Sequence, residues 1–517
     1  MTRAIFFGLL LATAAGGLTA RRWRPGTGDT LEDWGLAGRP FGTALSWCVI
    51  SGAVYTTYTF IAVPAVLYTS GALGFFAVPY TIIVYPIFLL VMPRLWTIAR
   101  RHGYLTTADF VRDRYDSPGL AVAVASTGIL ATMPYITLQL IGIQVVLEAM
   151  GLAPAGSGTT GVAPLAVGLA VLAAVVFATG LRGPAMLSVV KAVMIFGTTA
   201  VALVWITVEV GGVGAVFAAA ARALPARTPQ AGTMLLTPES YSAYATLALG
   251  SALALFLYPH TVTAVLSARS VRVVRKNAYL LPAWTLLLGL LALFGFLAIA
   301  AGVETPKGRG ALAIPLLIRS VLPDWLAGLF FAAVVIGAVV SSGIMAVAAS
   351  NVFARNVFKE YIKPDATARQ QAQTARAASV VVTMGSLLFV IGLKTQAAIN
   401  LQLLGGVWIL QTLPAVGISL FTRWFHRSAL LAGWAAGMVA GTAMTAATGF
   451  VAVYRISIGP LQFASYPALL ALALNLVVAA ALTPLLTRAG LPRGLDATDD
   501  ADYTPRAPAR AGFGPST

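Results

Sequence analysis

Carboxylates are missing from the middle of every long apolar run in this chain. All 17 acidic residues lie in connecting stretches or near run ends: Asp29, Glu32, Asp33, Asp109, Asp113, Asp116, Glu148, Glu209, Glu239, Glu304, Asp324, Glu360, Asp365, Asp496, Asp499, Asp500 and Asp502. A proton relay built on acids buried in an apolar layer is therefore disfavoured. Cysteine is nearly absent as well. Cys48 stands alone, so no disulfide forms within the chain. The three histidines, His102, His260 and His426, are far apart in sequence and form no metal-binding group. No Gly-rich phosphate loop of the Walker type is present, which speaks against ATP-driven work by this chain alone. Charge of either sign is scarce, at 10% of residues, where a soluble domain carries roughly 25%.

Apolar residues fill the gap. They make up 58% of the chain, and the mean hydropathy is +0.85. A soluble protein of this composition would expose large apolar patches and aggregate. A bilayer removes that difficulty but requires the backbone to satisfy its own hydrogen bonds, which leaves helices or closed barrels. The apolar runs are long and continuous, so helices are expected. A span needs about 20 apolar residues, and thirteen candidates meet this: 4–20, 43–70, 73–98, 119–150, 162–181, 184–208, 241–266, 279–302, 325–353, 376–393, 396–421, 428–451 and 465–487. The first has a signal peptide as its alternative reading. Against that, no small-residue cleavage site precedes a soluble domain, and Arg21, Arg22 and Arg24 follow the run, as suits a retained helix ending in the cytoplasm. Residues 1–490 thus form one polytopic unit. The tail 491–517, rich in Pro, Ala, Gly and Arg with an acidic patch at 496–502, reads as disordered and cytoplasmic.

The net charge of +17 would suggest nucleic acid in a soluble protein. In a membrane protein it is read loop by loop. With the N-terminus outside, only Arg3, Arg222, Arg227, Lys307, Arg309, Arg319, Lys394 and Arg455 fall outside; the other basic residues fall inside. This asymmetry fixes the expected orientation in the cytoplasmic membrane. It leaves lipid and a small solute as partners in place of nucleic acid.

Polar residues within the spans point to function. The second span contains residues 51–60 (SGAVYTTYTF), followed by Pro64. Such a run reads as a broken helix whose free carbonyls need a cavity or an ion; the alternative is a continuous helix whose hydroxyls bond back to i−4 carbonyls. The seventh span ends at 255–263 (LFLYPHTVT), where Pro259 breaks the ladder beside Tyr258 and His260. Interrupted helices at matching positions in two halves point to an inverted-repeat transporter. The halves would be spans two to six and seven to eleven, about 43–208 and 241–421. The ninth span carries Ser341 and Ser342, whose hydroxyls are read either as ligands for one small cation or as small-residue helix packing. Lys191 lies nine residues after Arg182, roughly 13 Å along a helix. It either snorkels to the interface or faces the pathway as a cation for an anionic substrate. Tyr135 and Gln139 in span four, and Trp408 and Gln411 in span eleven, are polar-tipped candidates for lining a cavity, with packing as the alternative. With no carboxylate at mid-depth, a coupling ion must be held by neutral oxygens.

At these positions the chain resembles the sodium:solute symporter family, and within it the bacterial monocarboxylate permease branch. The resemblance rests on 55–64 (YTTYTFIAVP), 74–86 (GFFAVPYTIIVYP), 106–114 (TTADFVRDR), 180–191 (GLRGPAMLSVVK), 255–270 (LFLYPHTVTAVLSARS) and 346–361 (AVAASNVFARNVFKEY). It implies an all-α membrane protein with the leucine-transporter-type five-plus-five inverted repeat, one extra helix at the N-terminus and two at the C-terminus, about thirteen transmembrane helices in all. It implies sodium as coupling ion, held by carbonyls near Gly52 and Tyr55 and by the hydroxyls of Ser341 and Ser342, with no other cofactor. The solute implied is a short-chain monocarboxylate such as lactate, pyruvate or acetate, and no enzyme reaction is expected. Tyr55, Thr56, Thr59, Gln139, Lys191, Tyr258, His260, Trp408 and Gln411 are the candidate solute-facing residues. The chain departs from the family pattern in three places. Aligning on Pro64 puts Val54 where some members have an aspartate. Counting back from 355–358 aligns Val340 and Ser341 with the hydroxyl pair. Ser188 and Lys191 stand where many members have Asp and Gln. Proton coupling and facilitated movement remain alternatives. The same fold carrying proline, another amino acid, sugar, urea or choline, a symporter-like sensor, or a channel are the rival readings.

Overall fold

The apolar runs fold as helices because a backbone in hydrocarbon finds hydrogen-bond partners nowhere else. The structure is a computed structural model and describes residues 1–23, 26, 28–153, 162–227, 233–392, 398–458 and 461–504. Among the described residues, nine helices are long and apolar enough to cross a bilayer: Thr2–Ala20, Ala72–His102, Pro118–Ala149, Arg182–Glu209, Val271–Ala300, Asp324–Ile362, Ala398–Leu420, Arg427–Ala447 and Pro467–Arg488. Two further spans arise from bent pairs, Thr43–Val54 with Tyr58–Ser70 at 56°, and Pro238–Leu255 with Pro259–Leu266 at 47°. Helices Val162–Thr179 and Ala368–Gly392 stand where the fifth and tenth spans are expected. One antiparallel hairpin, Tyr454–Ile458 with Leu461–Ser465, links the last two helices. Lys394 falls outside the described residues.

Both expected interruptions are present, and each has a local cause. The Thr43–Val54 helix stops at Tyr55, which is extended at φ −88° and ψ 101°. The chain then re-enters through a wide π-helical turn, Tyr58–Ala62, before Val63–Ser70. Pro64 lies at the start of that second piece and has no N–H to continue an i−4 ladder. In the seventh span, Tyr258 is extended and Pro259 opens the next helix. A residue before proline is pushed out of the α region, so the break falls where the Tyr-Pro pair dictates.

Burial separates centre from rim. In Asp324–Ile362 and Ala398–Leu420 the apolar stretch is 94% buried, whereas in Thr2–Ala20 it is 17% and in Pro467–Arg488 28%. The ninth and eleventh spans are therefore central, and the first and last helices face outward. The first helix lies close against the ninth. A Cβ on Gly328 would meet the Thr2 carbonyl at 2.7 Å.

Charge gathers in one end layer, and two of the stretches singled out in the sequence meet there. Thr106 caps the Thr107–Tyr115 helix with Asp109 in a capping box. The Asp109 carboxylate also takes Arg355 at 3.2 Å and Asn356 at 2.8 Å, and Arg112 pairs with Glu360. Arg182 pairs with Asp33 in the same layer.

The expectation of a disordered tail from residue 491 is corrected for 491–504; 505–517 lie outside the described residues. Arg114, buried at 3% side-chain exposure, donates to the Asp496 carboxylate at 2.8 Å, to Thr498 at 3.0 Å, and to the Ser419 and Thr422 carbonyls. Arg423 bridges Asp496 and Asp500. The Tyr503 ring lies under the Arg94 guanidinium, 4.7 Å from its centroid. Composition counts apolar residues and misses this. The acidic patch pairs with arginines of the basic end layer, Arg101, Arg114 and Arg423.

Partial burial pulls the Asp502 carboxyl up, but hydrogen bonds from the Asp499 N–H, His102 and Arg101 outweigh this and bring it to about 2. The folded value is depressed. The contact is therefore complete above the ordinary carboxylate range, about 4, and is lost as pH falls through about 2. Truncating one partner of a buried ion pair costs about 3 kcal/mol at the lower end of the usual range. Arg114→Ala is expected to lower the unfolding temperature in detergent and to speed tryptic cleavage at Arg493; unchanged cleavage would mean that the tail is held by other contacts.

Candidate functional site

The break in the second span sets one carbonyl free at a defined place. In an unbroken helix the Gly52 carbonyl would accept the N–H of Thr56, four residues on. Tyr55 still donates to Ser51 at 2.7 Å, but its extended backbone turns the chain away before the next rung. The Gly52 oxygen instead accepts from the Lys191 Nζ at 2.9 Å and from the Ser341 hydroxyl at 2.8 Å. Lys191 also donates to the Ser341 Oγ at 2.9 Å. The single Ser341 hydrogen is shared between Gly52 and the Gly337 carbonyl, also at 2.8 Å. Three helices, Thr43–Val54, Arg182–Glu209 and Asp324–Phe353, thus meet at one carbonyl, one hydroxyl and one amino group.

Two of the expected ion ligands, Gly52 and Ser341, are brought together here. Ser342 is buried with its hydroxyl unpartnered among the described residues. The Tyr55 side chain points elsewhere. Lys191 is completely buried, so it does not snorkel; its amino group faces the break. Burying an unpaired ammonium costs several kcal/mol. Hydrogen bonds to a charged group return about 1.5–3 kcal/mol each, which the two contacts partly supply.

A partly open hollow, about 320 Å³ when the solvent-facing space at its mouth is included, touches both breaks. Its lining includes Val54 and Tyr55 from the first break, Leu255 and Phe256 from the second, and Thr261, Tyr85, Phe88 and Leu281. The Tyr55 hydroxyl lies 2.5 Å from that of Tyr85 and 3.4 Å from Thr285, and Tyr85 donates to the Leu281 carbonyl. The Tyr55 ring stacks on Trp284 at 5.1 Å. The walls are almost wholly apolar, because the Tyr55 and Tyr85 hydroxyls are turned toward each other. The sequence reading missed Tyr85, Trp284 and Thr285. The available signal is Tyr85 beside Pro86, and Pro282 just ahead of Trp284 and Thr285.

Behind the hollow, Tyr135, Tyr258 and His260 pack ring against ring at 5.1–5.5 Å. Tyr135 donates to the Val54 carbonyl at 3.4 Å, and Tyr258 donates to the Gln402 carbonyl at 3.2 Å. Gln139 accepts the Thr57 N–H at 3.0 Å and donates to the Tyr135 carbonyl at 3.1 Å, so it pins the break. Thr56 accepts the Tyr58 N–H. Thr59 is buried inside the π turn. Among the described residues, both ring nitrogens of His260 and the hydroxyls of Thr57, Tyr58, Thr261 and Ser251 are buried without partners. Each such group costs about 1–3 kcal/mol. Their gathering on the interrupted spans marks a place made for polar guests. Trp408 and Gln411 are not part of this arrangement. Trp408 donates to Thr442, and Gln411 donates to the Val407 and Ala468 carbonyls and accepts from Asn475. The expectation that they line the cavity is corrected: neither lines the hollow, and both polar tips are used in packing that reaches the last two helices.

Residues 35–441 match the sodium:solute symporter family. A monocarboxylate transport permease protein of Rhizobium johnstonii (strain DSM 114642 / LMG 32736 / 3841) is 46% identical over 93% of this chain and 96% of its own length. The uncharacterized symporter YodF of Bacillus subtilis (strain 168) is 31% identical over 89% of this chain and 88% of its own length. Among solved structures, a Na+-coupled sialic acid symporter in a substrate-bound outward-open state superposes with a TM-score of 0.75 at 16% identity, covering 94% of this chain and 98% of that one. That likeness shows the leucine-transporter-type fold. A multi-pass helical chain with paired interrupted spans, a match over most of its length and a relative of nearly half-identical sequence belongs to the sodium:solute symporter family.

Proposed function

We propose that this chain is a symporter of the cytoplasmic membrane that imports a short-chain monocarboxylate such as lactate, pyruvate or acetate. The observation that carries the reading is the small, apolar-walled hollow at the two breaks, with the amino group of Lys191 bonded to the same interrupted span. A short acid has one anionic end and a small apolar body; the apolar walls suit the body, and Lys191, bonded to the same broken span, supplies positive charge nearby. The start of Pro259–Leu266 adds the partial positive charge of a helix N-terminus. The name of the 46% identical relative supports the same solute class. Proline, another amino acid, a sugar, urea or choline is the alternative cargo.

Sodium is the coupling cation that the family and the Na+-coupled neighbour support, with the Gly52 and Tyr55 carbonyls and the Ser341 and Ser342 hydroxyls as its ligands. Lys191, bonded to two of those four groups, favours a second reading in which the cradle carries its own charge. In either case the two halves rock about the breaks, and no covalent step occurs. The N-terminus is placed outside and the tail in the cytoplasm, where the basic end layer satisfies the positive-inside rule.

Two outcomes test the reading. In proteoliposomes, labelled lactate is expected to exchange against internal lactate and to be displaced by pyruvate and acetate, with proline, glucose and choline inert. Displacement by proline in place of pyruvate would overturn the solute class. Tyr55→Phe removes the hydroxyl of a residue that lines the hollow. A hydrogen bond to a carboxylate contributes about 1.5–3 kcal/mol, so the concentration for half-maximal exchange is expected to rise by about tenfold or more at unchanged expression. An unchanged value would remove Tyr55 from the solute site.

A further inference from the structure

We infer that Lys191 is a tethered cation that occupies the cradle at the second-span break, so that this chain does not bind sodium there. The inference rests on reading that break as the cation site, and it deepens the proposed function by assigning the occupant.

The Nζ of Lys191 makes the contacts that a small cation would make. It lies 2.9 Å from the Gly52 carbonyl and 2.9 Å from the Ser341 hydroxyl, two of the oxygens expected to coordinate sodium. Both are acceptors turned toward one donor group. An added ion would have to share them with the lysine at a few ångströms' separation.

The slot around the lysine is built for it. A Cβ on Gly52 would meet the Ser188 Oγ at 2.8 Å, so the glycine lets the Arg182–Glu209 helix come close to the broken one. Ser188 lies one turn before Lys191 on that helix. Across the slot, a Cβ on Gly337 would lie 3.6 Å from the Lys191 Cε. The ninth span thus leaves room for the stem one turn before Ser341. The side chain is completely buried along this route.

The electrostatics leave no room for a second charge. None of the ion pairs among the described residues involves Lys191. Of the two helices that supply its partners, Thr43–Val54 carries no acid, and Asp324–Phe353 carries only Asp324. That residue lies at the helix start, beside the amino terminus at 3.7 Å. Two like charges in this low-dielectric site repel strongly with no carboxylate to offset them.

The test is direct. Sodium-22 binding is measured on the purified full chain in detergent for wild type, Ser341→Ala and Lys191→Ala. The expected result is that wild type and Ser341→Ala bind sodium alike, and that Lys191→Ala gains saturable binding because the cradle is vacated. Saturable sodium binding by wild type that Ser341→Ala removes would overturn the inference. That comparison holds even if Lys191→Ala fails to fold. Lactate exchange by wild type in sodium chloride and in choline chloride is run in parallel. Equal rates are expected, and a rise of about tenfold with sodium that Ser341→Ala abolishes would overturn the inference. Absence of lactate exchange in both salts would refute the solute assignment alone, because the binding measurement uses no solute.

Discussion

A helix interrupted within hydrocarbon leaves carbonyl and N–H groups that water cannot reach, and the rest of this molecule is arranged around satisfying them. The extended backbone at Tyr55 frees the Gly52 carbonyl, and Lys191 and Ser341 take it up from two other helices. The Thr57 N–H on the far side of the break is taken up by Gln139 from a fourth. A defect in one span therefore fixes the positions of three others. It also explains why residues that look like unrelated polar exceptions along the sequence converge on one place.

The second interruption is organised differently. Tyr258 and Pro259 end one helix and open another, and the surrounding polar groups are largely unsatisfied: His260 has neither nitrogen bonded among the described residues. At the first break the protein's own side chains take up the Gly52 carbonyl and the Thr57 N–H, while the Thr57 and Tyr58 hydroxyls there, like His260 and Thr261 at the second, have no partner among the described residues. The charged end layer has a separate task. Thr106, Asp109 and Asn356 tie the start of the Thr107–Tyr115 helix to the end of the Asp324–Ile362 helix, and the segment through Tyr503 locks over Arg94 and Arg114.

The helical membrane architecture and the positions of the two candidate breaks were legible in the sequence because each depends on local chemistry. An apolar run of sufficient length must form a helix in lipid, and a proline inside it removes one rung of the ladder; the seventh span breaks at Pro259, while Pro86, Pro93 and Pro134 are carried within continuous helices. The hydroxyl register was half legible, since counting back from 355–358 selected Ser341, and Ser341 is the residue that meets Gly52. Trp408 and Gln411 looked equally promising by residue type and turned out to serve helix packing. Residue type gives no rotational setting for a helix that is buried all round. The ordered segment 491–504 was invisible for a related reason: its partners, Arg94, Arg101 and Arg114, lie about 400 residues away in sequence.

By itself the sequence determined that this chain crosses a membrane many times, that a proline interrupts the seventh span, and that no acid lies at mid-depth, because these follow from composition and nearest-neighbour backbone rules; the second span it left open between a broken and a continuous helix. Only the tertiary structure decided which way Lys191 points. From the sequence it could equally reach the interface or the pathway. The choice is made by a glycine on each of two neighbouring helices and by a carbonyl that exists as a free acceptor only because a third residue, Tyr55, leaves the helical conformation.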